Sequence, residues 1–136
     1  MLPLQHVRLW RTLSVALLLV VLIGALAPAF WFDTRGEALR WFQHTDKWLH
    51  GLTFATLAVW FAGLFARQVY WQVALGHMVF GLSIDACQWL VSYRMADWLD
   101  VAANTAGIVA GLAIAAAGLG GWGLRVEAWH SERRSY

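Results

Sequence analysis

DWLDVAANTAGIVAGLAIAAAGLG, residues 97–120, decides how this chain is to be read. From Trp98 onward it is long and apolar enough to cross a bilayer, which takes about 20 residues. Yet it opens on Asp97 and Asp100 and carries Asn104 one turn deeper. An ionised carboxylate in hydrocarbon costs about 3 kcal/mol or more, so it needs a partner, a cavity or a task. The same segment steps Ala103, Gly107, Gly111 and Ala115 along one face, a small-residue ridge that admits a neighbouring backbone. One helix thus combines close packing with polar groups at depth.

Three further segments meet the length requirement. The expected spans are 11–32, 47–66, 69–92 and 98–120. With 60% hydrophobic and 13% charged residues in 136, the chain falls far from a soluble domain, where about a quarter are charged. The breaks at 33–36, 67–68 and 93–96 are short, so consecutive helices must be antiparallel neighbours. The reading is all-α: an integral membrane bundle of four transmembrane helices in a single domain, 1–136. Pro28 is expected to bend the first helix, because proline removes a backbone donor. Arg8 and Arg11 before an apolar run, with Ala25-Leu26-Ala27, mimic a secretory signal. Pro28 would follow that cut and the apolar run continues to Phe32, so a retained first helix is expected.

Lysine and arginine bias sets the orientation. Arg8, Arg11, Arg67, Arg125, Arg133 and Arg134 fall on one side, and Arg35, Arg40, Lys47 and Arg94 on the other. Both termini and the tail, 121–136, are therefore expected in the cytoplasm. Trp31, Trp41, Trp48, Trp89 and Trp98 would form an outer aromatic belt, and Trp10, Trp71, Trp122 and Trp129 an inner one. Trp60 falls mid-span and is expected to pack against a neighbour. Glu37 to Thr45 reads as an interfacial surface loop, with a lid over the site as the alternative. The tail reads as an interfacial or disordered end.

Antiparallel connectivity brings the polar residues together. Asp46, Lys47 and His50 begin the second span, Asp85 and Gln88 end the third, and Asp97, Asp100 and Asn104 begin the fourth. All fall at one end of the bundle, with Arg94 in the loop between. Positions three and four apart share a helix face, so Asp85–Gln88 form one stripe and Asp100–Asn104–Gly107 another. Asp85 and Asn104 would lie roughly 10 Å below the helix ends, in a water-filled notch. His77 continues the third-span stripe inward and is read as a packing residue. Cys87 is read as a buried thiol without a disulfide partner.

Asp46-Lys47-x-x-His50, Gly81-x-x-x-Asp85-x-x-Gln88, Arg94 and Asp100-x-x-x-Asn104-x-x-Gly107 together resemble the VanZ-like family of small four-helix membrane proteins. These motifs extend over the last three helices. The family takes its name from a protein associated with low-level teicoplanin resistance, which implies a bacterial inner-membrane protein with an envelope role. Three departures stand out. Asp85 replaces the family's usual glutamate, Gly51 stands where an aromatic is usual, and Phe54 where a tyrosine is common.

Three functions fit these residues. The resemblance favours recognition of an outer-leaflet envelope lipid or lipid-linked precursor by Asp46, Lys47, His50, Asp85, Gln88, Arg94, Asp97, Asp100 and Asn104. A hydrolase or transferase acting on a phospholipid or polyprenyl phosphate would use His50 or Asp85 as general base. It could hold a divalent cation on Asp46, His50, Asp85 and Asp100. In a purely structural protein the same charges would pair across helix ends. The net charge of +2 and scattered basic residues argue against a nucleic-acid partner. A homodimer through the Gly107/Gly111 ridge is a further expectation, alongside packing within the monomer.

Overall fold

The structure, a computed structural model, describes the backbone of residues 1–31, 36–91 and 98–133, and the side chains of 1–26, 47–90 and 98–133. Every regular element within these residues is a helix: α1 Val7–Trp31, α2 Gly36–Leu64, α3 Tyr70–Val91, α4 Trp98–Ile114 and α5 Trp122–Arg133. A 3₁₀ turn, Arg67–Val69, leads into α3, and a π-type turn, Ala115–Leu119, closes α4. Three stretches are long and apolar enough to cross a membrane: Val7–Leu26, Arg67–Leu90 and Trp98–Leu119. They are lined with exposed aliphatic side chains, such as Val20, Ile23, Leu75 and Val109. That is the expected surface of a protein solvated by lipid rather than water.

Contacts along the helices set their directions. Gly51 lies against Ala103 and Gly107, and Ala55 against Gly107 and Gly111, so α2 and α4 run parallel. α3 returns alongside both, with His77 beside Phe61 and Gly81 beside Phe54 and Asn104. α1 runs with α3: Ser14 meets Trp60 and Ala25 meets Gln88. The four long helices alternate in direction, as the short breaks require.

The α2–α4 contact is the tightest in the molecule. A Cβ at Gly107 would collide with the Gly51 carbonyl, and one at Gly111 with the Ala55 carbonyl and the Ala58 Cβ. Small residues on both helices let the backbones approach, and dispersion replaces the hydrophobic effect as the attraction. The ridge read from the sequence packs against α2 of the same chain. Phe54, Leu57, Ile84 and Ile108 form the core beside this contact, and Leu17, Leu18, Val21, Leu22 and Ala25 of α1 pack onto it.

Several expectations are corrected. Glu37–Thr45 is not a surface loop: its backbone belongs to α2, which is continuous from Gly36 to Leu64. Nothing in that stretch is a helix breaker, and Ala38, Leu39, Arg40 and Gln43 all favour helix. α1 continues through Pro28 to Trp31, so the proline lies near the end of the helix. Trp10, near the start of α1, buries its ring and donates its N–H to Glu127. Trp10 is 7% exposed and sits edge-on to Trp60 and Trp122 with centroids 6.1 and 5.4 Å away. Trp48, Trp71, Trp89 and Trp98 are exposed, whereas Trp60 packs internally as expected. Cys87 is half-buried rather than buried.

The tail is helical from Trp122 to Arg133. Gly118 (φ 155°) and Gly121 (φ 68°) take backbone angles that suit glycine, and between them the chain turns back over the bundle end. Arg125 Nη1 donates to the Gly118 carbonyl at 2.9 Å, satisfying an acceptor in this turn. α5 then docks on the first residues of the chain.

Candidate functional site

The α2–α4 approach does more than pack two helices. His50 immediately precedes Gly51, and Asn104 lies one turn before Gly107. Bringing those glycines together carries His50 Nδ1 to 3.0 Å from Asn104 Oδ1, a buried contact. A carboxamide oxygen only accepts, so Nδ1 carries a proton in this contact. The Asn104 amide nitrogen faces α3. A Cβ at Gly81 would stand 3.0 Å from it and 3.1 Å from Phe54 Cζ, so Gly81 makes the room that amide occupies.

The carboxylates stand one turn further toward this end, called here the head. Asp100 is 3% exposed in the first turn of α4, where the positive helix terminus favours a negative charge. Asp85 is half-buried, and both of its carboxylate oxygens are shielded from solvent. Lys47 is half-buried on α2. Gln88 is 7% exposed and reaches outward from the group: its Nε2 donates to the Ala25 carbonyl of α1 at 2.9 Å. Asp46 belongs to the α2 backbone, but its side chain lies outside the described residues, as do Arg94 and Asp97. Of the nine candidates, His50 and Asn104 are thus in direct contact, and Lys47, Asp85, Gln88 and Asp100 share their end of the bundle.

No three His, Cys, Asp or Glu side chains among the described residues come together as a metal-binding set. His50, Asp85 and Asp100 therefore do not form one by themselves. The group offers instead a hydrogen-bonding surface with two buried carboxylates, an oriented imidazole and a carboxamide.

His77 lies deeper. Its Nδ1 donates to the Val73 carbonyl at 2.6 Å, and its ring stands edge-on to Phe61 with centroids 5.0 Å apart. Nε2 is buried and has no partner among the described residues. Packing accounts for the ring and one nitrogen, as expected, but not for the other.

A second polar cluster, at the opposite end or foot, was not anticipated. Glu127 of α5 is 7% exposed and accepts from Gln5 N at 2.6 Å, His6 N at 2.9 Å and Trp10 Nε1 at 2.8 Å. His6 Nδ1 stands 3.4 Å away. Two of those donors are backbone N–H groups at the entrance to α1, where a carboxylate also meets the positive helix end. Burial pushes the Glu127 carboxyl up, but the donors from Gln5, His6 and Trp10 outweigh it and hold the group below the usual glutamate value. The sequence signal was the stripe Gly120, Gly123, Glu127: small residues at helical spacing mark a packed face, and an acid on that face must meet donors. Leu2 N to Leu64 O at 2.8 Å and Gly121 N to Ala62 O at 3.2 Å complete the clasp.

A family model described as VanZ/LLP1 matches residues 10–119, which span all four long helices. No curated protein and no solved structure matches the chain. The match covers most of the chain and agrees with the motifs on α2, α3 and α4. The chain belongs to the VanZ-like family, and with its long apolar helices it is a membrane protein of the bacterial envelope, in a family linked to glycopeptide resistance.

Proposed function

We propose that this protein recognises an envelope lipid or a lipid-linked envelope precursor through the polar head of its bundle. In this reading the four long helices all span the bacterial inner membrane. The foot, with both termini, faces the cytoplasm and the head faces outward. Asp85, Asp100, Asn104, His50 and Lys47 supply acceptors, donors and charge to a headgroup, and the sequence motifs add Asp46, Arg94 and Asp97 to the same set. Masking or relocating such a precursor would change what a glycopeptide such as teicoplanin encounters.

The buried His50–Asn104 pair carries the proposal. A contact that merely joined helix ends would sit at the rim and need no oriented imidazole. This one lies beneath two carboxylates, held by the closest backbone approach in the molecule. The test is native mass spectrometry of the protein purified from its own membranes. A lipid should copurify with the wild type and be lost from Asn104→Leu and Asp100→Asn at unchanged expression. Equal lipid occupancy in all three would end the proposal. Equal occupancy with a lowered melting temperature would point to structural ion pairs instead.

One observation favours a second reading, an intramembrane hydrolase or transferase. Asn104 Oδ1 accepts from His50 Nδ1 and so orients the ring, and in the neutral imidazole this leaves Nε2 as the basic nitrogen, the arrangement a general base needs. Turnover of a polyprenyl phosphate or phospholipid that is abolished in His50→Gln would establish it. Lipid binding without turnover would exclude it.

A further inference from the structure

In lipid, apolar contacts between helices can be exchanged for contacts with acyl chains at little cost, so polar links decide which helices stay together. α1 is held unevenly by this criterion. At the foot it is pinned several times over. Glu127 takes three donors from Gln5, His6 and Trp10, and Trp60 Nε1 donates to Ser14 Oγ at 3.0 Å. The Trp10 ring is also wedged against Trp60 and Trp122. Over the upper half, the side chains of Leu17, Leu18, Val21, Leu22 and Ala25 contribute apolar contacts. The polar link recorded there among the described residues is Gln88 Nε2 to Ala25 O, 2.9 Å.

The position of that link matters. Ala25 is three residues before Pro28, whose missing N–H leaves the neighbouring Gly24 carbonyl without its helical donor. Gly24 itself has nothing within 4 Å of where a Cβ would be. The link therefore falls beside a gap in the helix's own hydrogen bonds. Its donor, Gln88, lies one turn beyond Asp85, on the wall of the polar head.

We infer that α1 is a hinged wall of the polar head, pinned at the foot by Glu127 and latched at the top by Gln88, and that ligand enters sideways from the leaflet between α1 and α3. This deepens the recognition reading and rests on it: the ligand class becomes a membrane-resident lipid with its chains in the bilayer, rather than a soluble ion or headgroup. A headgroup that competes for the Gln88 amide releases Ala25, so occupancy and opening are coupled.

The test is pulsed electron spin resonance on the full chain in vesicles of phosphatidylethanolamine and phosphatidylglycerol, with Cys87→Ala as background. A head pair of spin labels replaces Ile23 and Ala102, and a foot pair replaces Leu9 and Ile114, all exposed positions. Gln88→Leu should raise the long-distance population of the head pair about three- to ten-fold, the effect of one interhelical hydrogen bond in lipid, and leave the foot pair unmoved. Glu127→Ala should do the reverse. No change in the head pair with Gln88→Leu, or equal broadening of both pairs, overturns the latch. Gln88→Met, closer in shape, repeats the measurement if the leucine variant does not fold. Lipid copurification separates the two ideas: an opened head pair with no lipid in any variant keeps the latch and removes recognition, whereas lipid lost with Asn104→Leu but an unmoved head pair does the opposite.

Discussion

His50 Nδ1 lies 3.0 Å from Asn104 Oδ1, a buried contact between residues 54 apart in the chain. Neither side chain could be placed there without the glycines beside it. Replacing Asn104 by leucine removes the only function of its oxygen that the geometry explains and leaves a buried imidazole N–H unmatched. The expected cost is about 1–3 kcal/mol, measured as thermal unfolding in detergent. Nitrogen-15 spectra of the His50 ring should show a defined Nδ1–H tautomer in the wild type and a mixture in Asn104→Leu. A tautomer mixture already present in the wild type would contradict the assignment.

The ridge makes a prediction with its own control. Gly107→Val and Gly111→Val drive a side chain into the α2 backbone, which cannot retreat as a flexible side chain can. Each should cost about 3 kcal/mol or more and reduce folded yield in size-exclusion chromatography. Gly76 has nothing within 4 Å of its absent Cβ. Gly76→Ala should be neutral or stabilise by about 0.5–1 kcal/mol, because glycine weakens a helix interior. Similar outcomes at Gly76 and Gly107 would mean that α2 and α4 do not approach as described.

Glu127 gives the fold a pH dependence whose sign is determined. Its carboxyl lies below the usual glutamate value in the folded chain. The stabilisation is therefore complete above the unfolded value, about 4.3, and is lost as the pH falls through the lower folded value. Melting temperature should have no Glu127-dependent slope between neutrality and pH 5, then fall under stronger acid. Glu127→Ala should lower it at neutral pH by about 2 kcal/mol's worth, on the scale of hydrogen bonds to a charged group, and remove this part of the acid dependence. A wild-type and variant difference that grows on acidification would contradict the direction.

Trp60 and Ser14 provide a coupling test, since the indole N–H donates to the hydroxyl at 3.0 Å. Trp60→Phe and Ser14→Ala should each cost about 1 kcal/mol. The double variant should cost less than the sum, because both remove the same bond. Strict additivity would show that the bond contributes nothing to α1.

Much of the architecture was legible in residue order. Apolar length and short breaks are local properties, and Trp98–Leu119 and Arg67–Leu90 fall close to the spans read from them. The spacing of Asp100, Asn104 and Gly107 already put polar and small residues on one face, because helical periodicity needs no neighbour to define it. Glu37–Thr45 was misread for a related reason: mixed polarity resembles a loop until the helix that continues it is seen.

The chain's own order of residues determined its helices, their alternation, its family and the end of the bundle at which its charges gather. Only tertiary structure decided which neighbour each face chose. The small-residue ridge could have met a second copy, and met α2; Gln88 could have faced a ligand, and reached Ala25; Glu127 could have stayed in solvent, and clasped the start of α1. The physical reason is that periodicity specifies a face, whereas a partner is specified by which donors and backbones the completed fold brings within hydrogen-bonding or van der Waals distance of it.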